Sequence, residues 1–133
     1  MKRKILVVDD DPQIYKIISR LLDGEKYQIE AAVDGPEALN KVKENRPELL
    51  ILDLMMPGMS GLEVCKKVKE DSLMKDVMVL ILSAKDAQID RRKCFEVGAD
   101  DFETKPFHIT LLARKIDYLF EKRDINRSIL LLK

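Results

Sequence analysis

KILVVDDDPQIYKIISRLL, residues 4–22, runs an unbroken aliphatic stretch into three aspartates and then into a helical pattern. Residues 5–8 are all Ile, Leu or Val, the composition of a strand covered on both faces. Pro12 suits the first turn of a helix, where its missing N–H has no partner to lose, and Asp11 before it is read as the cap. Ile14, Ile17, Ile18, Leu21 and Leu22 then recur at helical spacing. The puzzle is Asp9 and Asp10 at the strand's end. Like charges this close repel, and burying an unpaired carboxylate costs on the order of several kcal/mol.

The same strand–turn–helix unit recurs along the chain. Strand candidates lie at residues 5–8, 27–31, 49–52, 77–82 and 101–104, the last being the weakest pattern. Asp34-Gly35-Pro36 opens a second helix with Ala38, Leu39 and Val42 inward, ending before Pro47. Ser60 is placed to cap a third helix carrying Leu62, Val64, Cys65 and Val68. A fourth is predicted over 87–97, stopped by Gly98, and a fifth from His108 with Leu111, Leu112, Ile116, Leu119 and Phe120. Five strand–helix pairs in alternation with right-handed crossovers predict an α/β fold, a doubly wound five-stranded parallel sheet with helices on both faces.

The totals narrow the function. The chain has 133 residues, so one domain with at most a short extension is expected. Its 24 basic and 24 acidic residues cancel, which gives no electrostatic reason for nucleic acid or an anionic membrane as a partner. Cys65 and Cys94 lack any metal-ligand spacing and read as reduced thiols. No signal peptide or membrane-spanning run is visible, and a cytoplasmic location is expected.

In open α/β sheets, ligands bind beyond the carboxyl ends of the strands. Those ends here carry Asp9 and Asp10, Asp53, and Ser83, and Lys105 follows the fifth strand. Carboxylates gathered on one rim call for a cation, and a hard divalent ion such as Mg²⁺ suits oxygen ligands. A metal, an ammonium and a hydroxyl around a carboxylate suit phosphoryl transfer, with Asp53 as nucleophile. Taken singly each residue has a plainer role: Asp9 or Asp10 a helix cap, Asp53 a loop residue, Ser83 a satisfied hydroxyl, Lys105 a surface charge. The set at successive strand ends carries the reading.

ILVVDDDP, LLILDLMMPGMSGLE, VLILSAKD and GADDFETKPF, in this order and spacing, resemble the receiver domain of two-component response regulators over residues 4 to about 120. The resemblance implies a flavodoxin-like three-layer sandwich over residues 1–121, with 122–133 a helical extension or the cut start of a linker to an output domain. It implies Asp53 as phosphoacceptor and Mg²⁺ (Mn²⁺ as substitute) bound by Asp9, Asp10, Asp53 and the Met55 backbone carbonyl. Ser83 and Lys105 would bind the phosphoryl group, Ser83 and Phe102 would form a switch, and Lys105–Pro106 would be cis. Met55 and Lys85 would tune hydrolysis, with the apolar Met55 slowing it. Phe102 stands where tyrosine is frequent, so its inward movement would rest on packing alone.

The implied partners are a histidine kinase or phosphotransfer protein, an unidentified effector, and a second copy in a phosphorylation-dependent dimer through the fourth helix, fifth strand and fifth helix. Arg91, Arg92, Lys93, Asp100, Asp101 and Glu103 lie on that face, where an ordinary solvated surface is the plainer reading. His108, the sole histidine, reads as a first-turn or surface residue. No effector motif is present, so no DNA binding by this chain is expected, and no enzymatic turnover beyond its own phosphorylation and slow dephosphorylation. Two rivals stay open: a haloacid-dehalogenase-like aspartyl-phosphate phosphatase, whose D-x-D motif Asp9-Asp10-Asp11 meets only formally, and a degenerate receiver used for docking. Leu112, Ile116, Leu119, Arg123, Asn126 and Leu130 offer a coiled-coil seam spoiled at Arg123 and Asn126.

Overall fold

A computed structural model of the chain describes residues 2–22, 24–84 and 91–132. The elements alternate as expected: β1 Arg3–Val8, α1 Pro12–Leu21, β2 Tyr27–Ala32, α2 Gly35–Asn45, β3 Leu49–Asp53, α3 Gly61–Glu70, β4 Met78–Ala84, α4 Arg91–Glu96, β5 Asp101–Lys105 and α5 Ile109–Leu131. All strand pairings are parallel, in the order β2-β1-β3-β4-β5. The order reverses at β1, which leaves β1 and β3 as neighbours with a crevice beyond their carboxyl ends.

The two-residue alternation of the strands divides the core into two layers. Leu6, Val8, Leu50, Leu52, Val79 and Ile81 pack toward Ala38 and Val42 of α2, Val64, Cys65 and Val68 of α3, and Cys94 of α4. Ile5, Val7, Leu49, Ile51, Leu80 and Leu82 pack toward Ile18 and Leu22 and toward Leu112, Ile116, Leu119 and Phe120 of α5. The central strands are therefore apolar throughout because both their faces are covered.

The helix starts follow from local chemistry. Asp11, Asp34 and Ser60 each accept a backbone N–H from two or three residues ahead, satisfying a donor that a helix start leaves open. His108 occupies the N-cap of α5 without a side-chain capping bond. Ends differ from the sequence reading in places. Val77 donates its N–H to Met74 and belongs to a turn, so β4 starts at Met78 and extends through Ser83. Lys105 is the last residue of β5 rather than the residue after it. Residues 87–90 of the predicted fourth helix lie outside the described residues, and Arg91–Glu96 form the described part. Ile17, expected in the core stripe of α1, is exposed, because α1 buries only the side carrying Ile18.

α5 runs unbroken for 23 residues. Its expected seam is buried at Leu112, Ile116 and Leu119, while Asn126 and Leu130 are exposed. Beyond Phe120 polar contacts replace the core. Arg123 reaches Glu48 at 3.1 Å and Arg3 reaches Asp124 at 2.7 Å, and both guanidinium groups lie over the Phe120 ring. Tyr27 donates its hydroxyl to Asp117.

This division predicts unequal costs along one helix. Ile116→Ala should lower stability by about 2–5 kcal/mol, since it opens a cavity in a fully buried layer. Ile129→Ala should stay within about 0.5 kcal/mol of the parent, since that side chain is exposed. Urea unfolding of both variants checks this, and similar losses would contradict the assigned core boundary.

Candidate functional site

β1 delivers Asp9. Its backbone N–H makes the sheet's last bond on that side, to Ala32 O at 3.1 Å, and its carboxylate then turns back, Oδ1 accepting from Asp11 N at 2.9 Å. Asp11 is spent on capping α1, accepting from Gln13 N at 2.9 Å. Asp10 between them is exposed. Asp53 ends β3 and pairs in register with Leu82, so Ser83 lies one residue farther toward the carboxyl rim on the adjacent strand. Asp9, Asp53 and Ser83 are the buried polar residues among those described.

Oxygens of Asp9, Asp10 and Asp53 all lie within 4.8 Å of one another. Lys105, delivered by β5 before a cis Lys105–Pro106 bond, puts Nζ 2.9 Å from Asp9 Oδ2 and 3.3 Å from Asp53 Oδ1. Burial, followed by the charge of Asp9, lifts the Asp53 carboxyl to about 6, against the opposing pull of Lys105. Burial pushes the Lys105 ammonium down, but its contacts with Asp9 and Asp53 outweigh this and hold it above its usual range. Three acids against one ammonium leave the cluster short of positive charge. Hard oxygen donors, one of them exposed, suit a Mg²⁺ ion that keeps part of its water shell.

Met55 donates its N–H toward Asp53 Oδ1 at 3.4 Å, which sets its backbone beside the cluster, and its side chain is exposed. Lys85 lies outside the described residues. The Ser83 hydroxyl donates to Ala84 O at 3.3 Å and makes no hydrogen bond to Asp53. Phe102 is buried in the layer of α2, α3 and α4. The charges around it are partly paired: Lys115 binds Glu103 at 2.9 Å and Asp101 at 3.5 Å, and Lys69 binds Asp100 at 3.0 Å.

Two contributors were not anticipated from the sequence. Gly61 N donates to Leu54 O at 2.9 Å, and a Cβ built there would sit 2.2 Å from Asp53 O. Only glycine lets the start of α3 fold back onto the Asp53 backbone. The serine–glycine pair at residues 60–61 was the available signal, read only as a cap. The second is an apolar cleft beside Lys105, lined by Ile14, Ile17, Pro106, Phe107 and Ile109. Exposed Ile17 belongs to it.

A sequence model of the response regulator receiver domain matches residues 5–117. The chain is 38% identical over 125 residues, 94% of its length, to the alkaline phosphatase synthesis transcriptional regulatory protein PhoP of Bacillus subtilis, covering 51% of that protein. It is 43% identical over 107 residues, 80% of its length, to the DNA-binding response regulator MtrA of Mycolicibacterium smegmatis, covering 46% of that protein. The chain thus spans about half the length of these curated relatives. Among solved structures, the chemotaxis response regulator CheY4 of Vibrio cholerae superposes with a TM-score of 0.81 at 32% identity, over 89% of this chain and 98% of that one.

The raised Asp53 carboxyl has a stability consequence. Without metal, the native state keeps a proton that the unfolded chain has already lost, so Asp53 makes stability fall as pH rises from about 4 to about 6. Asp53→Asn removes that contribution. At pH 7 in chelator it should be more stable than wild type by up to about 3 kcal/mol, the difference vanishing near pH 4. Urea titrations across pH check this, and a difference that is constant with pH would contradict it.

Proposed function

This chain belongs to the response regulator receiver domain family, and from that premise we propose that Asp53 accepts a phosphoryl group from the phosphohistidine of a histidine kinase or phosphotransfer protein. The convergence of Asp9, Asp10 and Asp53 on one rim, with Lys105 touching two of them, carries the reading.

An Asp53 carboxylate oxygen attacks phosphorus in line. The P–N bond to the donor imidazole breaks as the O–P bond of an aspartyl phosphate forms. Lys105 Nζ, within 3.3 Å of Asp53 Oδ1, is within reach of a phosphoryl oxygen. Among the described residues the Ser83 hydroxyl donates to its neighbour's carbonyl, and it could turn that donor toward another such oxygen. Asp9, Asp10, Asp53 and the Met55 carbonyl would hold Mg²⁺, which would supply charge neutralisation for the phosphoryl oxygens. Asp53 must be ionised to act; without metal its carboxyl is lifted to about 6 by burial and the charge of Asp9, and a divalent cation held by the same acids would favour the ionised form.

Met55 has its backbone beside Asp53 and its side chain exposed, and in this reading it restricts the attacking water and slows hydrolysis. The cleft of Ile17, Pro106, Phe107 and Ile109 borders Lys105 and offers an apolar seat for the phosphodonor protein. Lys85 is proposed to act with Met55, and Ser83 with Phe102 as the switch. The bound phosphate would alter the face formed by α4, β5 and α5, read by an output domain, a partner or a second copy. The reaction belongs to a cytoplasmic signalling chain and includes no turnover of an external substrate. Among the described residues no helix is long and apolar enough to cross a membrane.

Mass spectrometry after treatment with acetyl phosphate and Mg²⁺ should show a gain of one phosphoryl group in wild type and none in Asp53→Asn. A gain that survives the substitution moves the acceptor elsewhere. Removing Mg²⁺ should abolish the gain, and Met55→Ala should shorten the lifetime of the phosphorylated form. Ile17→Asp should slow transfer from a phosphohistidine donor while leaving acetyl phosphate labelling unchanged. Equal slowing with both donors would remove the docking role of the cleft.

A further inference from the structure

Phe102 lacks the hydroxyl that would let a switch aromatic exchange one hydrogen bond for another. Something else must set the preference of its ring. Among the described residues β5 is an edge strand, and the Phe102 carbonyl is taken by side chains. Lys115 of α5 donates to it at 3.1 Å and Arg91 of α4 at 3.5 Å. Arg91 does more. Its guanidinium carbon lies 5.0 Å from the centroid of the Phe102 ring, within range of the attraction between a cation and an aromatic face. One side chain at the start of α4 therefore holds both the backbone and the ring of the same β5 residue. The ring below it is 6% exposed and packed in the core layer of α2, α3 and α4.

We infer that Arg91 is a positioning residue for the phosphorylation switch: its guanidinium latches the Phe102 ring in the buried place. The inference rests on the reading of Asp53 as phosphoacceptor. In that reading the buried ring accompanies the phosphorylated form, so the latch biases the chain toward that form before any phosphoryl group arrives. It also makes the start of α4 and the ring of Phe102 move as one unit, which joins the acceptor rim to the α4 surface. Lys115 does not share this role. It grips the carbonyl, Glu103 and Asp101, and leaves the ring to Arg91.

The test is calorimetric titration of the full chain with beryllofluoride in the presence of Mg²⁺, a mimic of the acyl phosphate. Arg91→Ala should weaken binding about two- to fivefold, the size expected for a partly exposed cation over an aromatic ring. Arg91→Lys keeps a cation and should recover most of the loss. In a Phe102→Leu background, Arg91→Ala should weaken binding no further, because the ring it acts on is gone. Phe102→Met serves as the second background, and circular dichroism verifies folding. Equal weakening in wild-type and Phe102-substituted backgrounds overturns the latch, as does no weakening at all. If wild type fails to bind beryllofluoride, or Asp53→Asn binds it equally well, the acceptor assignment falls first and the latch with it.

Discussion

Lys105 Nζ lies 2.9 Å from an oxygen of Asp9 and 3.3 Å from one of Asp53, and this ammonium is what allows two buried carboxylates to share a rim. Without it, each acid would be desolvated next to a like charge. The contact spans 96 residues between Asp9 and Lys105, so it forms only when β1, β3 and β5 lie parallel and in order. It leaves the cluster short of positive charge. The same feature that strains the site electrostatically makes it receptive to a divalent cation.

The scaffold keeps this arrangement fixed by putting its acids on the ends of the most deeply buried strands. Leu49, Leu50, Ile51 and Leu52 precede Asp53 and are all fully buried, so the strand has little freedom to shift its last residue. A one-residue slip of β3 would exchange its two packed faces and carry Asp53 off the rim. Gly61 adds a second constraint from the other side, letting the start of α3 close against the Asp53 backbone. The peripheral elements are held differently. β5 has a neighbour on one side only, and the carbonyl of its Phe102 is held by the cations of α4 and α5. Beyond Phe120, α5 relies on ion pairs that solvent weakens. The fold thus combines rigidity at Asp53 with looser, polar fixation at the β5 side.

Much of this could be read along the chain. The aliphatic runs at residues 5–8 and 49–52 announced strands buried on both faces, because they are of strand length, too short for a buried helix, and end in turn-forming residues. Asp11-Pro12, Asp34-Gly35-Pro36 and Ser60 marked helix starts, because capping is local chemistry between residues two or three apart. Asp9, Asp10, Asp53, Ser83 and Lys105 were legible as a set because parallel strands send their carboxyl ends to one side. The identity of the fold therefore follows from periodicity and punctuation, which are properties of neighbours in sequence.

Other features depended on contacts between distant segments. Ile17 and Ile18 have similar side chains and adjacent positions, yet one lines an open cleft and the other is fully buried, since the angle at which α1 meets the sheet decides which side is covered. Gly61 was not singled out beside the capping Ser60, since its need for glycine arises only when the backbone of Asp53 is brought against it. The pairing of Arg91 with Phe102 joins α4 to β5 through an aromatic face, an attraction that leaves no periodic trace in the sequence. The sequence by itself determined the order of elements and the residue types at the strand ends, because those depend on local hydrogen bonding and alternation. The tertiary structure alone decided that Lys105 contacts both Asp9 and Asp53, that the Asp53 carboxyl is raised by burial, and that Arg91 lies over the Phe102 ring, because each depends on a through-space distance that only packing sets.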